Sequence, residues 1–365
     1  MKKVLHILPN LNIYGGTPKK TLDLINYSKN KHIVYTWGKL QDEKLNQDFL
    51  NIFLSNKIQV YQGDYKNNII FHCFKIGSII MSKNIKILHA YFETGSILAF
   101  FSSLFFPKVK IIASFVGFPD KKKILKKILF NLSLKWIDEK IFVSKYTYSA
   151  YCSYYSNLKK FSHKVIYNGT IKPIPIKSYS IKLPSNNHPT ITSISGLVEW
   201  KNISIILEAI YYLKINFNLD VNYIVIGDGP DKEKLINLTK KLNIKKSVNF
   251  IGFTSAIGNW LSISDIYVHP SLKEGFGISV VEAMLSGCPV IVSNAGALPE
   301  IVIHKKNGLV VDRNNPILWA EMINNLLNNK KLKNKLIING KKYALEKFSI
   351  NQFVNNFDKI YSKYL

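Results

Sequence analysis

The stretch that most constrains how this chain folds runs from His269 to Glu300. An apolar run, Asp265-Ile266-Tyr267-Val268, leads into it as a buried strand. Gly275 and Gly277 then punctuate a loop, and Ile278 to Leu285 form a helix stopped by Gly287 and Pro289. A helix that begins behind a glycine loop turns backbone N–H groups toward that loop at the positive end of its dipole, where a phosphate or a sugar hydroxyl is favoured. Glu274 stands directly before the loop and Glu282 lies inside the helix, so two acids flank one anion-attracting end. Two glutamates at this spacing, taken alone, also fit a charged loop residue and a solvated helix face.

Strand, loop and helix recur along the chain. Val4 to Leu8 reads as a first strand, and Tyr14-Gly15-Gly16-Thr17-Pro18 as a turn with Pro18 suited to the first position of a helix. Further strands are predicted at Ile33 to Trp37, Ile87 to Tyr91, Lys110 to Phe115, Lys140 to Ser144 and Lys164 to Tyr167. The second half restarts with Thr190 to Ser195, Val221 to Gly227 and Val248 to Phe253, and ends with a turn and strand over Asn307 to Val311. The helical patterns between them are long enough for crossovers, which makes the fold class α/β with mostly parallel, doubly wound sheets.

At 365 residues and 47% hydrophobic content the chain suggests two compact units. Thr170 to Pro189, with Pro173, Pro175, Pro184 and Pro189, has the composition of a connector, which places one domain at 1–175, a second at 186–349 and a terminal helix at 350–365. Cys73, Cys152 and Cys288 form no close pair and no metal-ligand spacing, the pattern of reduced thiols. His6 and Pro9 break the first apolar segment too early for a signal peptide, and the most apolar window, Ile97 to Pro107, is far shorter than a spanning helix.

Lys and Arg number 50 against 23 acids, a formal charge of +27, so the surface carries a positive potential toward an anionic partner. Nucleic acid, anionic lipid and sugar nucleotide all qualify. The absence of a nucleic-acid motif, and the dispersal of the basic residues, argue against nucleic acid. From Lys121 to Trp136, Ile124, Leu125, Ile128, Leu129, Leu132 and Trp136 recur at helical spacing while Lys121, Lys122, Lys123, Lys126 and Lys127 crowd the start. Such a helix can pack its apolar stripe on a sheet with its lysines in water, and it can also serve a membrane surface. The nearby Phe100, Phe101, Phe105 and Phe106 favour adding a peripheral contact with anionic lipid.

Glu274 and Glu282, with Gly275-Phe276-Gly277 after the first acid and Gly287-Cys288-Pro289-Val290-Ile291 closing the unit, resemble the E-x7-E signature of the GT4 family of retaining glycosyltransferases. The resemblance is dense from Ser264 to Asp312 and thin before Ser144. It implies a GT-B fold, two Rossmann-like doubly wound domains facing across a cleft, with the last helix crossing back to the first domain. It also implies transfer of a sugar from a nucleotide-diphosphate donor to an acceptor hydroxyl with retention; the reduced-thiol pattern and the basic amphipathic stretch place the chain in the cytoplasm or peripherally on the inner face of the membrane. The expected acceptor is a glycan or a lipid-linked intermediate of cell-surface polysaccharide, lipopolysaccharide or glycolipid assembly, and no metal or other cofactor is expected.

By the same resemblance Glu274 is the catalytic candidate at the donor sugar, Glu282 binds the ribose hydroxyls, and Gly275, Phe276, Gly277 and Ile278 line the donor. Lys201, in Gly196-Leu197-Val198-Glu199-Trp200-Lys201, matches the lysine of G-R-L-x-x-x-K and is assigned to the diphosphate. Gly15 and Gly16 correspond to the glycine pair beside diphosphate and acceptor. Two departures stand out: Gly196 occupies the arginine position, and Ser114-Phe115-Val116-Gly117-Phe118 lacks the histidine many relatives carry there. The competing expectation is therefore a catalytically impaired relative that binds sugar nucleotide or lipid without transfer. His89 and His269, at the ends of apolar strands, read as structural, and Asp228 reads as a turn residue.

Overall fold

The computed structural model describes residues 3–11, 16–38, 50–64, 68–120, 124–181 and 187–365. The chain divides into two compact units, Met1–Gly169 with Ile350–Leu365, and Thr170–Ser349.

In the first unit the described strands are β1 (Lys3–Leu8), β2 (Lys31–Thr36), β3 (Gln59–Gln62), β4 (Ile85–Tyr91), β5 (Lys110–Phe115), β6 (Glu139–Phe142) and β7 (Lys164–Val165). They form a parallel sheet in the order β3-β2-β1-β4-β5-β6-β7, so the winding direction reverses between β1 and β4. The helices are α1 (Gly16–Tyr27), α2 (Ile69–Lys83), α3 (Phe92–Ser103), α4 (Ile124–Ser133) and α5 (Lys145–Tyr154). Alternate side chains of the strands fill two cores. Leu5, Leu88, Ala113 and Phe115 meet α2, α3 and α5 on one face, while Val4, Ile87, Ile112 and Ile141 meet Leu24 of α1 on the other. β3 is absent from the sequence reading because Gln-Val-Tyr-Gln is short, ends in polar residues and lies at the sheet edge. Pro18 is the third residue of α1 rather than its first. The early N–H groups of a helix have no intrahelical acceptor, so proline fits there too.

Of the stripe on α4, Leu129 alone packs against the core of the sheet, half-buried. Ile124, Leu125, Ile128 and Leu132 are exposed, as is Trp136 beyond the helix, whereas Phe130, Ser133 and Leu134 point inward. Lys126 is the side chain that turns back, toward Glu93 at 3.9 Å and Asp120 at 3.2 Å. Lys121, Lys122 and Lys123 lie outside the described residues.

The second unit is a parallel sheet of β8 (Thr190–Ile194), β9 (Asn222–Ile226), β10 (Val248–Gly252), β11 (Ile266–His269), β12 (Val290–Ser293) and β13 (Leu309–Val311), ordered β10-β9-β8-β11-β12-β13. Around it lie α6 (Ile203–Phe217), α7 (Lys232–Lys241), α8 (Ile257–Ser262), α9 (Ile278–Ser286), α10 (Leu298–Ile301), α11 (Pro316–Asn328) and α12 (Lys330–Phe348). The winding reverses between β8 and β11, and open parallel sheets receive ligands at the carboxyl ends of strands at such a point. α9 stops where Gly287, at φ +81°, turns its N–H back to the carbonyls of Ala283 and Met284.

The expected connector begins as part of this second unit, and the boundary falls after Gly169 instead of 175. Thr170 N–H donates to the Phe348 carbonyl, Ile176 exchanges two hydrogen bonds with the Asn259 side chain, and Tyr179 rests on Trp260. Ile174 and Pro175 lie directly against Gly258 of α8, so this described part of the connector is laid on the second unit. α13 (Ile350–Tyr364) belongs to the first unit, where Phe353, Phe357, Ile360 and Tyr361 complete the core over β1, β4, β5 and β6.

Candidate active site

Two loops leave the carboxyl ends of β8 and β11, the neighbouring strands at which the second sheet reverses. The first, after Ile194, ends in the short 3₁₀ turn Glu199–Lys201, and Asn202 closes it in the left-handed region at φ 54°. The second, Pro270 to Gly277, follows His269 and enters α9. They are tied by the Leu272 N–H donating to the Trp200 carbonyl at 2.8 Å, and the Lys273 ammonium sits 5.3 Å over the Trp200 ring.

Lys201 and Glu274 meet in this frame, with Nζ 2.5 Å from Oε2. The same oxygen accepts from His269 Nε2 at 2.8 Å and from Ser271 Oγ at 3.4 Å. Burial by itself pushes the Glu274 pKa up. The Lys201 charge and the His269 hydrogen bond outweigh it and hold the carboxyl well below the usual carboxylate range. His269 is buried, and that burial lowers its pKa against the opposing pull of Glu274, so the ring is neutral with its proton on Nε2. Its Nδ1 lies 3.1 Å from the Tyr267 hydroxyl, which lies 2.8 Å from Ser279 Oγ; Ser279 in turn donates to the Ile194 carbonyl at 3.1 Å. A buried chain of polar groups thus runs from β8 through α9 and β11 to one carboxylate.

His269, read as structural, is indeed buried, and it also contacts Glu274. The signal was available, because a polar residue ending an apolar strand at the carboxyl edge of a parallel sheet, five positions before Glu274, points where ligands bind. Ser271, Tyr267 and Ser279 were likewise passed over in the sequence. Gly296 is a further omission. It sits at φ +59°, and a Cβ there would fall 2.3 Å from the Glu274 carbonyl oxygen, while the Ala297 N–H donates to that same oxygen at 2.9 Å. The backbone of Glu274 is thus seated on a position that only glycine fills without strain.

The other expected residues are placed as follows. Gly275, Phe276 and Gly277 are buried, with Gly277 at φ +110° as the N-cap of α9. The Phe276 ring packs edge-on against Phe348, 5.5 Å between centroids, so its side chain serves the core and only its backbone faces the loop. Ile278, half-buried, opens α9, and Glu282 is buried one turn further on with Thr170 Oγ1 at 3.4 Å from its Oε1. Gly196 has open space around it, the nearest atom to a built Cβ being the Asp228 carbonyl oxygen at 3.9 Å. Asp228 behaves as a turn residue, accepting from the Gly229 N–H and from Lys232. Gly16 is the exposed first residue of α1 in the other unit, and Gly15 lies outside the described residues. Val116 packs with Leu8, Leu11 and Tyr91. His89 is a buried structural residue, held by Tyr361 and Ser114.

The family model for glycosyl transferases group 1 matches residues 177–343, which lie in this second unit. An uncharacterised glycosyltransferase of Methanocaldococcus jannaschii, MJ1178, is 31% identical over 302 residues, 80% of either chain. The chain belongs to the group 1 glycosyltransferases. This glycosyltransferase is also 27% identical over 349 residues to the capsular polysaccharide biosynthesis glycosyltransferase CapH of Staphylococcus aureus, covering 91% of its own length and 92% of CapH. In three dimensions it superposes on all of Anabaena HepE, a structure in complex with UDP and glucose, with a TM-score of 0.82 at 20% identity. Its two Rossmann-like units, with parallel sheets of seven and six described strands, are those of the GT-B fold.

Proposed function

We propose that this group 1 glycosyltransferase moves a sugar from a nucleotide-diphosphate donor to an acceptor hydroxyl with retention at the anomeric carbon, without a metal ion, in the assembly of a cell-surface polysaccharide, lipopolysaccharide or glycolipid. The observation that carries the reading is the convergence of Lys201 and Glu274 at the N-terminus of α9, at the reversal point of the sheet. In such a transfer the bond from the anomeric carbon to the diphosphate breaks, a bond to the acceptor oxygen forms on the same face, and the nucleoside diphosphate and a proton are released.

Negative charge grows on the leaving diphosphate. An ammonium and the first N–H groups of a helix, fixed in place beforehand, stabilise that charge in the way that usually contributes most to catalysis, and the role calls for no metal. In this reading Lys201 and the backbone from Gly275 to Ile278 hold the diphosphate. Glu274, kept ionised by Lys201 and oriented by His269, accepts hydrogen bonds from the donor sugar and faces the positive charge that develops at the anomeric carbon. Glu282 receives the ribose hydroxyls and Gly16 stands on the acceptor side. The presence of UDP with HepE and of capsule assembly in the name of CapH supports the donor class and the acceptor class.

The test is Glu274→Ala. Transfer to membrane-extracted or glycan acceptors should fall by a factor of about 10² to 10³ or more, the range for losing one preorganised charge-stabilising group. The thermal-unfolding midpoint should stay within a few degrees. Turnover equal to that of the unaltered protein refutes the assignment. Thermal shift against UDP-, GDP- and other sugar nucleotides identifies the donor, since a ligand of the native state raises apparent stability by mass action. A chain that binds a sugar nucleotide but turns over none with any acceptor is the impaired relative suggested by Gly196 and Val116.

A further inference from the structure

One face of the first unit groups side chains that a water-facing surface does not ordinarily collect. α3 packs against α2 on one side and α4 on the other, and its own side chains are nearly all buried. The flanking helices each carry a second apolar row on the side away from the core. On α2 it is Ile70, Phe74 and Met81, with Phe74 75% exposed. On α4 it is Ile124, Ile128 and Leu132, continued four residues on by Trp136, with Ile124 81% exposed. Phe105, just after α3, is 85% exposed, and its neighbour Phe106 lies against Gly77 of α2 while Phe100 contacts the Trp136 ring. The three helices thus present one contiguous apolar face.

Its charge has one sign. No Asp or Glu occurs in 69–83, 104–110 or 124–136, where Lys75, Lys83, Lys108, Lys127 and Lys135 stand among the apolar side chains. Of the acids that flank these segments, Glu93 and Glu139 are buried, Asp120 and Asp138 are paired with Lys126 and Lys110, and Asp64 stands half-buried five residues before α2. We propose that this face docks on an anionic phospholipid bilayer. The outward rows of α2 and α4 and Phe105 enter the boundary between headgroups and acyl chains, Trp136 lies at the interface, and the lysines reach the lipid phosphates. A protein partner of complementary charge would need acids set among apolar groups, whereas an anionic bilayer supplies a uniform negative plane over an apolar interior, which matches long lysine side chains rising from apolar rows. No helix among the described residues is long and apolar enough to cross a membrane, so the contact proposed is peripheral. It adds to the proposed transfer a bilayer-held acceptor, yet vesicle binding requires no catalysis and is tested apart from it.

The experiment is flotation of the full chain with vesicles of phosphatidylcholine alone and of phosphatidylcholine mixed with phosphatidylglycerol. Binding is expected only to the mixed vesicles and to weaken as salt rises. Joint replacement of Phe74, Phe105 and Ile128 by Gln should lower binding at least about tenfold, by loss of buried apolar area. Joint replacement of Lys108, Lys127 and Lys135 by Gln should lower it roughly fivefold per lysine. The replaced side chains lie outside the core, so circular dichroism should match the parent. If the apolar variant fails to fold, the lysine variant still decides. Equal binding to neutral vesicles, or binding untouched by the lysine variant, overturns the proposal. So does a protein that ignores vesicles but self-associates through this face, with sedimentation equilibrium showing the loss of association in the apolar variant.

Discussion

Acidification should destabilise the first unit before its carboxylates titrate. His6, His32 and His89 stand on β1, β2 and β4, and the His6 ring is 5.0 Å from each of the other two. His6 bonds the Tyr91 hydroxyl at 3.2 Å and His32 Nδ1 at 2.8 Å, and His89 bonds the Tyr361 hydroxyl and Ser114 Oγ, each at 2.7 Å. A neutral imidazole is one donor and one acceptor; a second proton removes the acceptor and sets like charge beside like charge. Burial lowers the pKa of His32 to about 4 and of His89 to about 3; burial followed by repulsion from His32 and His89 takes His6 well below its ordinary value. Asp358 opposes the shift at His32 without cancelling it.

The sign is fixed by those directions. Unfolded histidines titrate near about 6.5, so the unfolded chain binds protons the folded unit refuses, and stability is complete above that pH and falls as the pH drops toward the folded values. At pH 5 the solution is roughly 1.5 units below the unfolded pKa of each histidine and above the folded values, which at about 1.4 kcal/mol per unit is about 2 kcal/mol each and about 6 for the three. That is a large part of the roughly 5–15 kcal/mol by which a domain is stable. Urea titrations followed by circular dichroism at pH 7.5, 6 and 5, settings chosen above the roughly 4 of carboxylates, read the loss as a falling midpoint. His269 in the other unit is shifted the same way, so attribution rests on His32→Leu, which should reduce the slope below pH 6 by about one proton, or about 1.4 kcal/mol per pH unit. A midpoint flat from pH 7.5 to 5, or a slope unchanged in the variant, refutes the reasoning.

Three further outcomes concern the second unit. Gly296→Ala forces a Cβ to within 2.3 Å of the Glu274 carbonyl, so the acid shifts; kcat/KM for the donor should drop by about 10², the typical loss for an ångström of misplacement, and a normal value would mean the loop absorbs the change. Gly196→Arg places a guanidinium where the nearest atom to a Cβ is 3.9 Å away. If the diphosphate lies there, charge-assisted hydrogen bonds of about 1.5–3 kcal/mol should tighten UDP or GDP binding about tenfold or more by calorimetry, and no gain would separate Gly196 from the phosphates. His269→Phe removes a donor to the Glu274 carboxylate, so its pKa should rise and the acid limb of the pH–rate profile should move upward with a drop in kcat; an unmoved limb would reduce His269 to a packing residue.

The alternation of strands and helices was legible because buried parallel strands are largely apolar runs, as in Asn222–Ile226 and Val290–Ser293, and Lys3–Leu8 keeps that character despite His6. β3 was not, since an edge strand buries little and Gln59–Gln62 carries no apolar run. In the site, Lys201 and Glu274 could be found through their motifs, and their contact is a fact of the fold. Gly296 could not be tied to Glu274, because its importance is the approach of two backbones that no local pattern encodes. The apolar rows of α4 show a third limit. Periodicity says which side chains share a side of a helix, and tertiary packing alone decides whether that side meets a sheet or solvent.

The placement of α13 with residues 1–169 has a consequence for the order of events during synthesis. Residues 170–349 complete a sheet, its helices and its core without any later part of the chain, and their two ends lie side by side, Thr170 N–H to the Phe348 carbonyl at 3.0 Å. The unit translated first has to wait for Phe353, Phe357 and Tyr361 to cover β1 and β4. At about 5–20 residues per second the ribosome needs on the order of ten to thirty seconds to cross the intervening stretch. Throughout that interval the histidines and apolar side chains beneath α13 lack their cover, so the half of the protein made first is the half finished last.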